Sequence, residues 1–220
     1  MTVTLTYRDA VAVLDLGDDE NRFSPAWLDD VSAALNQVVS GAPTALVTTA
    51  TGKFFSNGLD LDWVTANPDQ WLPYADGVQA LLARVLTLPV PTIAAVNGHA
   101  FGAGAMLAMA HDFRVMRVDR GYLCFPEVDI RIPFTPGMAA LIQAKTSPQT
   151  AVNSMTTGRR FGGADAVTAG LVDATAAEAA LIDAAVTTVA PLVGKDAATL
   201  GTIKSTMYAA PAAALLQPLR

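Results

Sequence analysis

The sequence predicts an α/β fold in a single domain that spans all 220 residues. Short β-prone runs are concentrated in the first 125 residues, whereas helical periodicity dominates from residue 137 onwards. Between them, an apolar run at residues 92–96 leads through a glycine-rich turn into an apolar segment at residues 104–110, a pattern typical of strand, tight turn and helix. Because no repeat or linker interrupts the sequence, we expect one α/β body with a helical C-terminal part.

The predicted strands are short β-branched and apolar runs bounded by polar residues or glycine. They lie at residues 2–7, 11–16, 44–49, 92–96, 113–116 and 122–125. The first two flank Arg8-Asp9-Ala10 and predict a hairpin. Residues 52–61 predict a loop, residues 67–73 carry two prolines and predict an irregular segment, and residues 126–129 are expected to end the last strand.

The predicted helices repeat apolar residues at helical spacing. The first has Ser24 as a good N-cap and Pro25 at the first helical position, and it ends near Gly41. The others are expected at residues 78–86, 104–110, 137–145, 148–156, 164–169, 176–189 and 196–208.

Composition restricts the kind of partner. Hydrophobic residues make up 52% of the chain and charged residues 15%, which predicts a large core and some apolar surface between subunits. The formal net charge of -6 argues against a nucleic-acid partner, since phosphates need clustered lysine and arginine. No apolar run reaches the roughly 18 residues that span a membrane, and no signal peptide is recognisable, so we expect a cytoplasmic protein without a membrane partner.

Three isolated polar residues, Cys124, His99 and Asp112, are expected to have structural roles. Cys124, the one cysteine, is expected to be a buried inert thiol in a reducing compartment. His99 has no second ligand cluster beside it and is expected to satisfy backbone groups rather than bind a metal. Asp112 is expected to make a structural hydrogen bond at a helix end.

The glycine segment, residues 97–104, has the composition of an anion site. Gly102-Ala103-Gly104 lets a ligand approach the main chain closely, and the first amides of the following helix have no intrahelical acceptor. Free amides at a helix N-terminus attract negative charge. The segment alone does not say whether that anion is a bound group or a transient one.

Several motifs in order resemble one family across roughly residues 1–210. They are Phe55-Ser56-Asn57-Gly58-Leu59-Asp60, the glycine segment, His111-Asp112, Pro126-Glu127, Gly163-Ala164-Asp165-Ala166 and Ala169-Gly170-Leu171-Val172. This series is similar to the crotonase family, the enoyl-CoA hydratases and isomerases. The FFSNGLDL form and the lone glutamate most resemble the 3,2-enoyl-CoA isomerases.

The resemblance implies a fold, a substrate class and an assembly. It implies repeated ββα units over about residues 1–160 and a helical trimerisation region over about residues 161–220, with trimers or pairs of trimers. The implied substrate is an acyl-CoA thioester. Coenzyme A is then part of the substrate, and no separate cofactor or metal is expected.

The resemblance also implies a set of site residues. In the family two backbone amides hold the thioester carbonyl, and the matching positions are Leu59 and Ala103, the latter a glycine in most relatives. Further substrate contacts are expected at Phe55, Ser56, Asn57, Gly58, Asp60, Leu61, Gly102, Met106 and Phe134. Trp63 and Leu72 are expected beside the acyl chain, and Asp60 is also expected to cap the next turn or helix. The cations expected near the phosphates of coenzyme A are Arg22, Lys53 and Lys204.

The catalytic base follows from a difference within the family. Enoyl-CoA hydratases hold water between two glutamates, and the matching positions here are Met106 and Glu127. A single base can move a proton from C2 to C4 of a 3-enoyl thioester, because both carbons lie on one face of a planar dienolate. Apolar neighbours are expected to raise the pKa of Glu127 toward working pH.

Three alternatives stay open from the sequence. Glu127 could be a solvated charge at a strand end. The protein could be a hydratase whose second acid is Asp129, which shares the face of Glu127 if the strand continues. It could also be an acyl-CoA-binding subunit without catalysis.

Overall fold

The computed structural model describes residues 3–42 and 44–220, and the described strands form two sheets. The strands are β1 (Thr4–Arg8), β2 (Val11–Asp15), β3 (Ala45–Thr49), β4 (Phe54–Ser56), β5 (Thr92–Val96), β6 (His99–Phe101), β7 (Phe113–Arg117), β8 (Leu123–Cys124) and β9 (Ala174–Ala176). Six of them form the main sheet in the order β1-β2-β3-β5-β7-β9, and the other three form a small sheet in the order β4-β6-β8.

The helices surround these sheets and dominate after β8. They are α1 (Pro25–Ser40), α2 (Leu61–Ala66), α3 (Trp71–Leu86), α4 (Ala103–Ala110), α5 (Glu127–Ile130), α6 (Pro136–Lys145), α7 (Pro148–Met155), α8 (Gly163–Thr168), α9 (Leu181–Val189), α10 (Ala197–Met207) and α11 (Ala209–Leu215). No helix in the described part of the chain is both long and apolar enough to cross a membrane.

The main sheet begins with the predicted hairpin. β1 and β2 are antiparallel and close with Arg8 opposite Val11, and Thr2, the predicted start of the first strand, lies outside the described residues. Every later pairing in this sheet is parallel, from β2 with β3 to β7 with β9. β3 and β5 are buried at every residue, which explains their continuous apolar and β-branched sequence.

The predicted first helix is confirmed in detail. The Ser24 hydroxyl accepts the Trp27 N–H and Pro25 is the first helical residue of α1. The Gly41 N–H then donates to the Gln37 carbonyl at the end of the helix. Local capping chemistry therefore sets both ends of α1.

Several boundary predictions were wrong where elements are very short or locally unusual. The loop predicted at residues 52–61 contains β4, and the glycine segment contains β6 between β5 and α4. The irregular segment predicted at residues 67–73 is a 3-10 turn followed by α3. Residues 126–129 do not end a strand but enter the single turn α5, and the helix predicted at residues 176–189 begins only at Leu181. β9 and α11 were not predicted.

The core lies on both faces of the main sheet. The larger cluster packs α1, α3 and α4 against one face, and all eight residues of α4 are buried. On the other face α9 contributes Leu181, Ala185 and Val189 against strand residues such as Val47 and Ile93. α4 is therefore a central helix, which is why it lacks the polar face of a surface helix.

The segment around β4 makes two very close backbone contacts with the segment from Gly98 to α4. A Cβ atom on Gly104 would lie 2.4 Å from the carbonyl oxygen of Ser56, so the end of β4 rests directly on the first turn of α4. A Cβ atom on Gly98 would lie 2.1 Å from the carbonyl oxygen of Lys53. Glycine is required at both positions by space, because neither contact is with a movable side chain.

We expect Gly104→Ala to destabilise the protein by about 1–3 kcal/mol, the usual cost of forcing an extra methyl into a packed site. The matched control is Gly77→Ala in α3, where the new methyl would meet Leu28 at 3.9 Å, an ordinary contact. That change should stabilise by about 0.5–1 kcal/mol, because alanine is the better helix former. Urea unfolding of both variants measures the difference, and equal shifts of the two midpoints would contradict the close approach.

Candidate active site

The loop after β4 is held rigidly against the glycine segment. Gly58 has a φ of 79°, and a Cβ atom there would lie 2.7 Å from the carbonyl oxygen of Phe101 and 2.9 Å from the amide nitrogen of Ala103. The Ser56 hydroxyl accepts the Gly58 N–H at 3.0 Å and donates to the Asn21 carbonyl at 2.7 Å. Residue 59 is therefore fixed in space beside the N-terminus of α4.

Two backbone N–H groups at this junction are free. Among the described residues, neither the Leu59 N–H nor the Ala103 N–H has a hydrogen-bond acceptor. Gly102, the N-cap of α4, has a φ of 52° and a ψ of -122°, a conformation that strongly favours glycine. This conformation starts the helix at Ala103, so that the Ala103 N–H is the first of its unsatisfied donors.

Asn21 holds the other side of the loop and was not predicted from the sequence. Its buried side chain donates to the carbonyl oxygens of Gly17 at 3.2 Å and Phe55 at 3.1 Å. Its own φ of 49° is left-handed, which asparagine tolerates better than most residues. A polar residue in an early loop gives no sequence signal for this role, because its partner in the site loop, Phe55, is 34 residues away.

Glu127 places a buried carboxyl group above this junction. It is the first residue of α5 and only 8% exposed, and its Oε1 lies 3.5 Å from the position a Cβ atom of Gly102 would take. Its Oε2 is buried without a hydrogen-bond partner among the described residues. Burial raises the pKa of the Glu127 carboxyl to about 7. The alternative of a solvated charge at a strand end is therefore wrong.

These groups share a cavity of about 420 Å³, which we call the Glu127 cavity. Its lining includes Leu59, Gly102, Ala103, Met106 and Glu127. The rest of the lining is Arg22, Asn57, Leu61, Asp62, Trp71, Ala75, Phe101, Pro126, Ile130, Ile132, Pro133, Thr135, Met138 and Arg160. A largely apolar cavity with two free N–H donors and the buried Glu127 carboxyl group can hold a carbonyl oxygen while the carboxylate takes a proton from a neighbouring carbon.

Some predicted contacts lie behind the cavity wall instead of in it. Phe55 and Ser56 are fully buried, and Gly58 fills the turn below Leu59. Asp60 caps α2 by accepting the Trp63 N–H, as expected. These residues position the loop, and none of them lines the cavity.

The expected acyl wall is corrected in part. Leu61 and Met106 line the cavity, but Phe134 packs against Phe125 outside the lining, and Trp63 and Leu72 also lie outside it. Trp71 and Ala75 take their place. The sequence did not reveal this, because residues 67–73 with their prolines were predicted to be irregular.

The three predicted cations lie in different surroundings. Arg22 lines the cavity and forms ion pairs with Glu20 and Asp62. Lys53 is exposed, with its ammonium 5.1 Å from the centre of the Phe54 ring. Lys204 is not near the cavity, so the expectation that it contacts a phosphate is corrected.

Lys204 is a buried structural cation. It is 3% exposed, and its Nζ donates to the Val90 carbonyl at 2.7 Å and to Asp112 Oδ2 at 2.5 Å. Asp112 also accepts the Thr92 N–H at 2.8 Å, which confirms its structural role. The pair joins the C-terminal helix α10 to the start of β5.

Cys124 and His99 do not line the cavity. Cys124 is buried, and burial raises its thiol pKa to about 11, as expected for an inert thiol. The His99 ring packs among Phe54, Phe101 and Tyr122 and makes no hydrogen bond to a backbone group of the described residues, so its expected role was wrong. Within the described residues, no group of three His, Cys, Asp or Glu side chains could hold a metal ion.

Comparison with known proteins identifies the family. The model of the enoyl-CoA hydratase/isomerase family matches residues 6–219. The chain belongs to this family. Peroxisomal enoyl-CoA delta isomerase 1 of Arabidopsis thaliana is 39% identical over 182 residues, covering 80% of this chain and 76% of that protein. Enoyl-CoA delta isomerase 3 of the same plant is 36% identical and covers 93% and 91%.

A solved structure shows the same fold. The human mitochondrial delta3-delta2-enoyl-CoA isomerase superposes with a TM-score of 0.90 over 97% of this chain and 86% of the human chain. At 22% identity this likeness supports the architecture alone. The predicted crotonase-like α/β fold is thereby confirmed.

We expect Lys204→Met to destabilise the protein by about 2–4 kcal/mol, because Asp112 would keep a partly buried charge without its cationic partner. The control is Lys195→Met, an exposed lysine that forms no ion pair among the described residues and should shift stability by less than about 0.5 kcal/mol. Urea unfolding at neutral pH measures both. If Lys204 were a surface binding residue, the two variants would unfold alike.

Proposed function

We propose that the protein isomerises 3-enoyl-CoA to 2-enoyl-CoA with Glu127 as the base. The observation that carries this proposal is the buried Glu127 carboxyl beside the free Leu59 and Ala103 N–H groups, with Met106 in the wall of the same cavity. Two relatives at 36–39% identity carry the name enoyl-CoA delta isomerase, which supports the same conclusion.

The reaction begins at C2 of the substrate. The thioester carbonyl accepts hydrogen bonds from the Leu59 and Ala103 N–H groups, and the Glu127 carboxylate takes a proton from C2. The electron pair of the C–H bond moves into the thioester, giving a dienolate whose negative oxygen lies between the two N–H donors. Fixed donors of this kind stabilise a transition state by about 3 kcal/mol each.

The reaction ends when the same proton is returned at C4. Protonated Glu127 donates it to C4 of the dienolate, the C3–C4 double bond becomes a single bond, and C2–C3 becomes double. No atom is gained or lost overall, so the two steps balance without a co-reactant. The pKa of Glu127 suits both steps, because a group whose pKa is near 7 accepts and donates protons with similar ease at neutral pH.

The hydratase alternative has little support in the cavity. Hydration needs a second acid or base to hold water, and the position expected for it carries Met106, which is buried and apolar. The other carboxylate of the described lining, Asp62, is ion-paired with Arg22. Asp129 is exposed and outside the lining, because α5 turns away where a continuing strand would have placed it beside Glu127.

Coenzyme A is proposed to enter where the polar residues of the cavity lie. Arg22 and Asn57 are in this part of the lining, and Lys53 lies on the surface near β4. The phosphates are proposed to contact Arg22 and Lys53, and Asn57 to contact the adenine and pantetheine arm, because Phe55 and Ser56 of the expected segment are fully buried. We further propose a trimer or a pair of trimers in the cytoplasm, consistent with exposed apolar residues such as Ile203 and Met207 on α10.

We expect Glu127→Gln to lower kcat for isomerisation by about 100- to 10,000-fold, the usual contribution of a positioned base. The control Asp129→Asn changes an exposed neighbour outside the cavity and should keep wild-type kcat. Conversion of a 3-enoyl-CoA is followed by absorbance of the conjugated product. A Glu127→Gln protein with wild-type turnover would overturn the proposal.

We also expect kcat/KM to rise about tenfold per pH unit below pH 7 and to level off above it. Burial raises the Glu127 pKa, and only the carboxylate, which forms above that pKa, can accept the C2 proton. A profile that is flat between pH 5 and pH 8 would contradict this assignment.

Binding of an acyl-CoA without α-proton exchange into heavy water would identify a non-catalytic binding subunit instead.

A further inference from the structure

The wall of the Glu127 cavity contains one polar pair that the proposed reaction does not use. The Thr135 hydroxyl lines the cavity and lies 2.6 Å from Oε1 of Gln79. Gln79 is 1% exposed, and its Nε2 is buried without a hydrogen-bond partner among the described residues. A buried polar atom without a partner is costly in a core that is otherwise apolar.

The position of Gln79 relates it to the acyl chain. Trp71 and Ala75 line the cavity from α3, and Gln79 follows Ala75 by four residues, so all three lie on one face of the helix. The first residues of α6 form the facing wall, where Thr135 caps the helix by accepting the Met138 N–H. Gln79 therefore lies one helical turn beyond Ala75, one hydrogen bond behind the cavity wall.

The hydrogen bonds of the pair leave at least one donor and one acceptor unused. A threonine hydroxyl has one donor and two acceptor sites. Donation to Gln79 and acceptance from Met138 use two of them, so one acceptor site of Thr135 and both N–H donors of Gln79 Nε2 stay free. If the amide is rotated, Nε2 donates one N–H to Thr135, and the free groups become the Thr135 O–H, the second Nε2 N–H and the Gln79 carbonyl oxygen, so donors and an acceptor again remain.

We propose that this pair binds a hydroxyl group on the acyl chain, distal to the double bond. A hydroxyl both donates and accepts, so it can bond to one free donor and one free acceptor of the pair in either orientation of the amide. An alkyl chain satisfies neither, and a ketone can only accept. The preferred substrate class would then be a hydroxylated 3-enoyl-CoA, an inference that rests on the proposed isomerase function.

The test compares matched pairs of 3-enoyl-CoA thioesters that differ only in a terminal hydroxyl or a terminal methyl group, in short, medium and long chains. At the chain length that reaches Thr135 in the cavity wall, wild-type kcat/KM should favour the hydroxylated member by about tenfold, the effect of one well-formed hydrogen bond with a buried partner. No preference at any length would overturn the proposal, without the use of any variant.

The variants locate the preference. Gln79→Met replaces the amide by an unbranched side chain of similar length and should abolish the preference for the hydroxyl, with a gain for the methyl member. Thr135→Ser keeps both the hydroxyl and the helix cap and should keep the wild-type preference. A Gln79→Met protein that still prefers the hydroxyl would show that another group binds it.

A binding measurement separates this proposal from the isomerase proposal. Saturated acyl-CoA thioesters with a terminal hydroxyl or methyl cannot be isomerised, and their dissociation constants are measured by calorimetry. A binding preference for the hydroxyl without turnover of any 3-enoyl-CoA would support the Gln79 contact and contradict the reaction. Turnover of both members at equal rates, with equal affinities, would support the isomerase reaction and contradict the Gln79 contact.

Discussion

The contact between the loop after β4 and the first turn of α4 is the constraint on which the site depends. Gly58 and Gly104 meet backbone atoms at distances that leave no space for a side chain. The main chains of two separate segments are thereby fixed side by side, and the Leu59 and Ala103 N–H groups stay free because the turn geometry gives them no internal acceptor. Rigid main-chain donors require no reorganisation when charge develops next to them.

Burial of the site also changes the acidity of Glu127. The apolar lining that would receive an acyl chain also surrounds Glu127. The same burial raises the pKa of the Glu127 carboxyl and so makes its carboxylate more basic. The cost is an ionised group with a buried, unpartnered oxygen above pH 7. Such local instability is common where a group must exchange protons with a ligand.

Sequence patterns predicted the features that depend on local chemistry. The β1–β2 hairpin and the Ser24 cap of α1 follow from residues close together, and the family motifs led to Glu127 and Met106. Three-residue strands such as β4 and β6 are too short for periodicity to reveal. Pro73 suggested an irregular segment, although proline is tolerated in the first turn of a helix, where it lies in α3. Lys204 was misassigned because its partner Asp112 is distant in sequence.

The contacts of helix α11 and the residues after it affect how the substrate range of this site can change by substitution. Gly137 of α6 packs against the backbone of Leu215, and the Leu219 N–H donates to Asp76 of α3, so the end of the chain supports both helices that form the acyl wall. The proton-transfer groups instead depend on the sheet side, through β4, β6 and α4. Substitutions near the C-terminus can therefore alter which chains are accepted while the proton-transfer geometry is conserved, which separates substrate range from reaction type within one small protein.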